Sequence, residues 1–139
     1  MNITFTNTLS ASDFNMLRSA VGWDFIEETL AESGLRNSAF VVCVKDGDKT
    51  IGMGRVVTDY GYFIYISDVA VLPEYQGKGI GAEIINRIMT YIDSTIKPGQ
   101  KKFISLFSTV GNEAFYEKYG FKKRPNETQG SGMNQWIAK

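Results

Sequence analysis

Residues 68–85 read Asp68-Val69-Ala70-Val71-Leu72-Pro73-Glu74-Tyr75-Gln76-Gly77-Lys78-Gly79-Ile80-Gly81-Ala82-Glu83-Ile84-Ile85. An apolar run rich in β-branched residues ends at Leu72-Pro73. A polar turn with three alternate glycines follows, and apolar residues then recur at helical spacing. Pro73 has no N–H for a ladder, so a strand stops there or lies at an edge. Gly77, Gly79 and Gly81 let the backbone turn and come close to a bulky group. The helix that follows leaves its first N–H groups unpaired at the positive end of its dipole. Such an end takes an anion, phosphate above all. The stretch reads as strand, pyrophosphate cradle, helix.

Two common phosphate-binding patterns fit poorly. Gly77-Lys78-Gly79-Ile80-Gly81-Ala82 matches the loose dinucleotide motif, but that fold wants an acid about 20 residues on, at the end of the next strand. The next expected strand ends near Phe107-Ser108, without an acid. A P-loop needs Ser or Thr after its lysine, and Lys78 is followed by Gly79.

The order of residues resembles the GNAT family of acyl-CoA-dependent N-acetyltransferases. Its [Gln/Arg]-x-x-Gly-x-[Gly/Ala] signature is met by Gln76, Gly79 and Gly81, after the family-like phrase Val69-Ala70-Val71-Leu72-Pro73-Glu74-Tyr75. A second phrase, Asn112-Glu113-Ala114-Phe115-Tyr116-Glu117-Lys118-Tyr119-Gly120-Phe121, looks like the family's C-terminal motif. The resemblance covers residues from about 38 to 124 and fades at both ends. It implies an α/β (α+β) fold: a mixed, mostly antiparallel sheet of about six to seven strands with about four flanking helices.

A length of 139 residues fits a single domain, 1–139, with a real core. Formal net charge is zero, which argues against a general nucleic-acid or membrane-surface binder. The one cysteine, Cys43, lies in an apolar strand and reads as a buried structural thiol. No histidine is present, which removes the commonest general base and metal ligand. No metal is expected. The N-terminal residues do not read as a targeting segment, and no apolar run reaches the ~20 residues that span a bilayer. A cytoplasmic location is the default expectation.

Along the chain, Ile3 and Phe5 suggest a short strand. Ser12 is a candidate cap for a helix to about Ala20, with Phe14, Leu17 and Val21 on one face. A second helix is expected from Phe25 to Ser33, ending at Gly34. Strands follow at Ala39–Lys45, Ile51–Thr58 and Tyr62–Leu72, joined by turns at Asp46–Lys49 and Thr58–Gly61. Gly52 and Gly54 mark either a close backbone approach or a weak strand. Ile84, Ile85, Ile88, Met89 and Ile92 form a core stripe. Phe103–Phe107 is a strand parallel to Tyr62–Leu72, to which a crossover helix joins it. Asn112 caps a short helix stopped by Gly120, and Met133–Ala138 is expected as a final strand.

The family resemblance implies acetyl transfer from acetyl-CoA to a primary amine by direct attack in a ternary complex. A small-molecule acceptor is preferred over a protein. The alternatives are a non-catalytic acyl-CoA sensor, a protein N-acetyltransferase, or a nucleotide binder that mimics the pattern. By resemblance, Gln76, Gly77, Lys78, Gly79, Ile80 and Gly81 hold the pyrophosphate. Lys78 either adds a point charge there or is solvated. Val69, Ala70 and Val71 meet the amide-rich pantetheine arm, and a bulge in their strand would stabilise the oxyanion. Asn112 contacts the same arm. Tyr116, one helical turn later, protonates the leaving thiolate. A tyrosine at ~10 is a weaker acid than a thiol at ~8.5, which suits a hydrogen-bond donor better than complete transfer. Asp68, the only acid within the central strand run, is either the general base or a structural pair. Trp23 and Phe25 either line the acceptor cleft or pack the helices onto the sheet. Monomer and homodimer are both open.

Overall fold

The computed structural model describes all residues, Met1–Lys139. Its elements are β1 (Ile3–Thr6), α1 (Ala11–Ala20), α2 (Glu28–Asn37), β2 (Phe40–Asp46), β3 (Lys49–Thr58), β4 (Phe63–Val71), α3 (Ile80–Ser94), β5 (Phe103–Leu106) and α4 (Glu113–Glu117), with a short 3-10 turn at Pro73–Tyr75. Residues Met1–Ile104 form one compact unit and Ser105–Lys139 a second, smaller one.

The sheet has five strands in sequence order, and β1 to β4 are antiparallel neighbours. The Phe103 N–H donates to the Tyr62 carbonyl at 2.7 Å, and the Phe63 and Phe103 rings stack at 5.9 Å. The starts of β4 and β5 therefore lie side by side, as parallel strands require.

Two layers cover the sheet. On one face the α3 stripe Ile84, Ile85, Ile88 and Ile92 is fully buried. It meets Gly52 and Gly54, whose missing side chains admit the helix. A Cβ on Gly54 would lie 2.8 Å from Ile84 Cγ2 and 3.0 Å from Ile88 Cδ1. The glycines thus mark a close approach, not a weak strand. On the other face α1 buries Phe14 and Leu17.

Four expectations are corrected. There are five strands, not six to seven: Met133–Ala138 has no ladder partner, and Met133, Trp136 and Ile137 are exposed. Helix α1 is capped by Ser10, whose hydroxyl accepts from the Asp13 N–H, and not by Ser12. Helix α2 starts later and runs through Gly34, because the Glu27 carboxylate accepts from the Thr29 and Leu30 N–H groups. Asn112 stands at the cap position of α4 as expected, but its side chain makes no capping bond, its amide donating instead to Thr109 Oγ1 at 2.8 Å.

Candidate functional site

The glycine loop is built by what stops β4. Leu72 still donates to the Ile51 carbonyl, Pro73 opens the 3-10 turn, and the Gln76 amide donates back to the Val71 carbonyl at 2.9 Å. Gln76 therefore braces the loop. Gly77 and Gly79 have φ of 76° and 81°, in the left-handed region that favours glycine. Gly79 is the cap residue of α3, and Gly81 lies within the helix. The N–H groups of Gly77, Lys78, Gly79, Ile80 and Gly81 donate to no acceptor within the protein. Space beside Gly77, Gly79 and Gly81 is open to 4 Å. The loop is thus a row of unpaired donors at the positive end of a 15-residue helix.

Beside the loop, Lys78 Nζ lies 5.7 Å from the centre of the Tyr75 ring, and Lys49 Nζ lies 5.5 Å from it. The Tyr75 hydroxyl donates to Asp46 Oδ2 at 2.6 Å. That bond raises the tyrosine pKa and lowers the aspartate's.

Strand β4 carries a bulge. Met53 pairs with Ala70 and Arg55 with Ser67, so Gly54 alone opposes both Asp68 and Val69. Asp68 has φ 57°, a left-handed conformation that aspartate tolerates better than most residues. Val69 faces α3, since its Cγ2 lies 3.5 Å from where a Gly54 Cβ would be.

The Asp68 carboxylate binds two arginines. Arg18 Nη1 donates to Oδ1 at 2.7 Å, and Arg55 Nε donates to Oδ2 at 2.8 Å. The Ser67 hydroxyl adds a third bond at 2.9 Å. Arg18 also donates through Nε to the Asp24 carbonyl, and Arg55 through Nη1 to Ser38 Oγ. The guanidinium of Arg18 lies against the rings of Phe14 and Trp23, 5.7 and 5.4 Å from their centres. Trp23 is therefore half-buried on Arg18, whereas Phe25 is 72% exposed. Asn15 clasps the same connection, exchanging two hydrogen bonds with the Ile26 backbone.

In the second unit Tyr116 is buried, edge-on to Phe115 and Phe121. Asn112 lies one turn before it, at the cap of α4, and the Tyr116 N–H reaches the Asn112 carbonyl at 3.4 Å. Gly120, at φ 89°, ends the turn.

Sequence reasoning missed Arg18, Arg55 and Tyr75. The first two carry a readable signal. Arg18 fills an apolar slot in the Phe14, Leu17, Val21 spacing, and Arg55 continues the inward alternation of Ile51 and Met53. A charge in such a slot calls for a partner. Nothing local in the sequence announces the Tyr75–Asp46 bond.

No helix is long and apolar enough to cross a membrane, and no three His, Cys, Asp or Glu side chains are grouped to hold a metal ion.

Comparison with known proteins agrees with this geometry. Residues 36–123 match the model of the acetyltransferase (GNAT) domain. A ycf52-like N-acetyltransferase of Prochlorococcus marinus is 30% identical over 135 residues, covering 94% of this chain and 71% of the relative. The ycf52 N-acetyltransferase of Pyropia yezoensis is 26% identical over 132 residues, covering 92% of this chain and 74% of its own. The crystal structure of a probable acetyltransferase from meticillin-resistant Staphylococcus aureus superposes with a TM-score of 0.85 at 32% identity, covering 96% of this chain and 99% of that one.

Proposed function

The chain belongs to the GNAT acetyltransferase family, and on that premise we propose that it acetylates the primary amine of a small molecule by direct attack on acetyl-CoA in a ternary complex. Acyltransferase activity and acetyl-CoA are the family's; the acceptor class and mechanism are our reading. The observation that carries it is the row of unpaired N–H groups from Gly77 to Gly81, beside a strand whose bulge falls at Asp68 and Val69.

The residues fit the co-substrate. Five open donors at a helix N-terminus suit a pyrophosphate. Val69, Ala70 and Val71 offer strand backbone to an amide-rich arm, and a bulge leaves backbone donors for an oxyanion. Lys78 adds positive charge near the loop. Acetyl-CoA supplies the activated acyl group as a thioester. In the transfer, nitrogen bonds the acyl carbon, the carbon–sulfur bond breaks, and the thiolate takes a proton.

Tyr116 is assigned as hydrogen-bond donor to that sulfur and Asn112 as a contact for the arm, both on the resemblance of their motif. Asp68 receives a changed role. Both its oxygens accept from guanidinium groups, and one also accepts from Ser67. We assign it to hold the bulge and the arginines, with water taking the amine proton. Trp23, stacked on Arg18, is assigned to the acceptor side, with Phe25 beside it in sequence. The whole chain, 1–139, is taken as one N-acetyltransferase domain working in the cytoplasm, as monomer or homodimer.

The test is transfer itself. With acetyl-CoA and a mixed panel of small primary amines, the protein should yield an N-acetylated amine in step with free CoA, read by mass spectrometry. Product on lysine peptides alone would move the acceptor to proteins. Free CoA without an acetylated amine would contradict the proposal.

A further inference from the structure

Arg18 and Arg55 bring two positive charges to one negative charge, Asp68, beside the bulge. Their side chains are only 11% and 20% exposed. Each guanidinium is fixed at two of its three nitrogens. Arg18 uses Nε and Nη1 on the Asp24 carbonyl and Asp68, and Arg55 uses Nε and Nη1 on Asp68 and Ser38. In both, Nη2 makes no hydrogen bond to the protein. No buried side-chain nitrogen lacks a partner, so both Nη2 groups reach solvent.

The pair therefore presents spare N–H donors from two oriented, half-desolvated cations carrying one net positive charge. Mere attachment of α1 to the sheet needs one arginine on one carboxylate. The second cation leaves a charge that nothing in the cluster neutralises. Burial makes an unneutralised charge costly, and an anionic ligand would relieve it.

We propose that Arg18 and Arg55 bind a carboxylate on the acceptor, so that the substrates are amino acids or short amino-carboxylic acids. The inference rests on the acetyltransferase reading above. Asp68, which holds both arginines, is the residue before Val69, where that reading puts the thioester arm. An acceptor carboxylate on the arginines would then leave its amine within a few bonds of the acyl carbon. A carboxylate suits these groups because each unused Nη2 offers it charge-assisted N–H donors.

The test uses matched acceptors: amino acids, their carboxamides, and the corresponding amines lacking the carboxylate. Native protein should prefer each acid over its carboxamide by about ten- to a hundredfold in kcat/KM, the range of a charge-assisted hydrogen bond. The preference should lie mainly in KM. In Arg55→Gln the acid-to-carboxamide ratio should fall toward unity, and Arg55→Lys, which keeps the charge, should restore part of it. Equal or better turnover of carboxamides and plain amines by the native protein would overturn the inference and leave the acetyltransferase reading standing. Acetylation of none of these amines, even with acetyl-CoA bound, would overturn both.

Discussion

Arg55 and Asp68 meet where the register between β3 and β4 breaks, with Nε 2.8 Å from Oδ2. Arg18, from α1, holds the other oxygen at 2.7 Å. One carboxylate in a left-handed conformation thus ties a helix and two strands to the bulge.

Asp68→Ala should cost about 2–4 kcal/mol in chemical denaturation, because two guanidinium groups lose their counter-charge while part-exposed. Asp68→Asn should cost less, since asparagine tolerates the same backbone and keeps one acceptor. The Asn variant also separates the two roles of Asp68. Its kcat/KM should keep the shape of the native pH profile, whereas loss of a limb on the acid side would identify Asp68 as the general base.

Gly54→Ala should lower stability by about 1–3 kcal/mol, because its Cβ would overlap Ile84 and Ile88 in a filled core. The measurement is a denaturant midpoint at unchanged slope. An unchanged midpoint would mean that α3 can move away freely.

The Tyr75–Asp46 bond gives a two-sided pH signature. The bond lowers the Asp46 pKa, so its contribution is present above the ordinary aspartate range and is lost as pH falls through the folded value. It raises the Tyr75 pKa, so the contribution is present below about 10 and is lost as pH rises through the folded value. The melting-temperature gap between native protein and Tyr75→Phe should be widest between about pH 5 and 9 and should narrow on both sides. A gap independent of pH would assign it to packing alone.

Tyr116→Phe should lower kcat by about 10- to 100-fold, the range of a hydrogen bond to a charged group, and leave the KM for acetyl-CoA nearly unchanged. Steady-state thiol release measures both. An unchanged kcat would remove Tyr116 from the chemistry.

The glycine loop and the α3 stripe were legible because their signals are local. Pro73 stops a strand, Gly77 and Gly79 adopt positive φ, and the isoleucines repeat at helical spacing. Gly52 and Gly54 gave a two-way reading that only the opposing helix could decide. The bulge was not legible, because it is a mismatch between two strands. Arg18 and Arg55 lie 37 residues apart (55 − 18), and only folding brings both to Asp68. The final strand failed for the opposite reason. Met133 to Ala138 has a strand-like composition, but a strand needs a partner, and none is present.

The cradle is tested most directly by calorimetric titration of acetyl-CoA into native protein and Gly79→Val. Gly79 caps α3 at φ 81° with open space beside it, so valine there strains the backbone and fills the space beside the loop N–H groups. The account predicts saturable binding to native protein, weakened at least about tenfold in the variant, a loss of roughly 1.4 kcal/mol. Binding of NAD or ATP in place of acetyl-CoA, or equal binding of acetyl-CoA by both proteins, would contradict it.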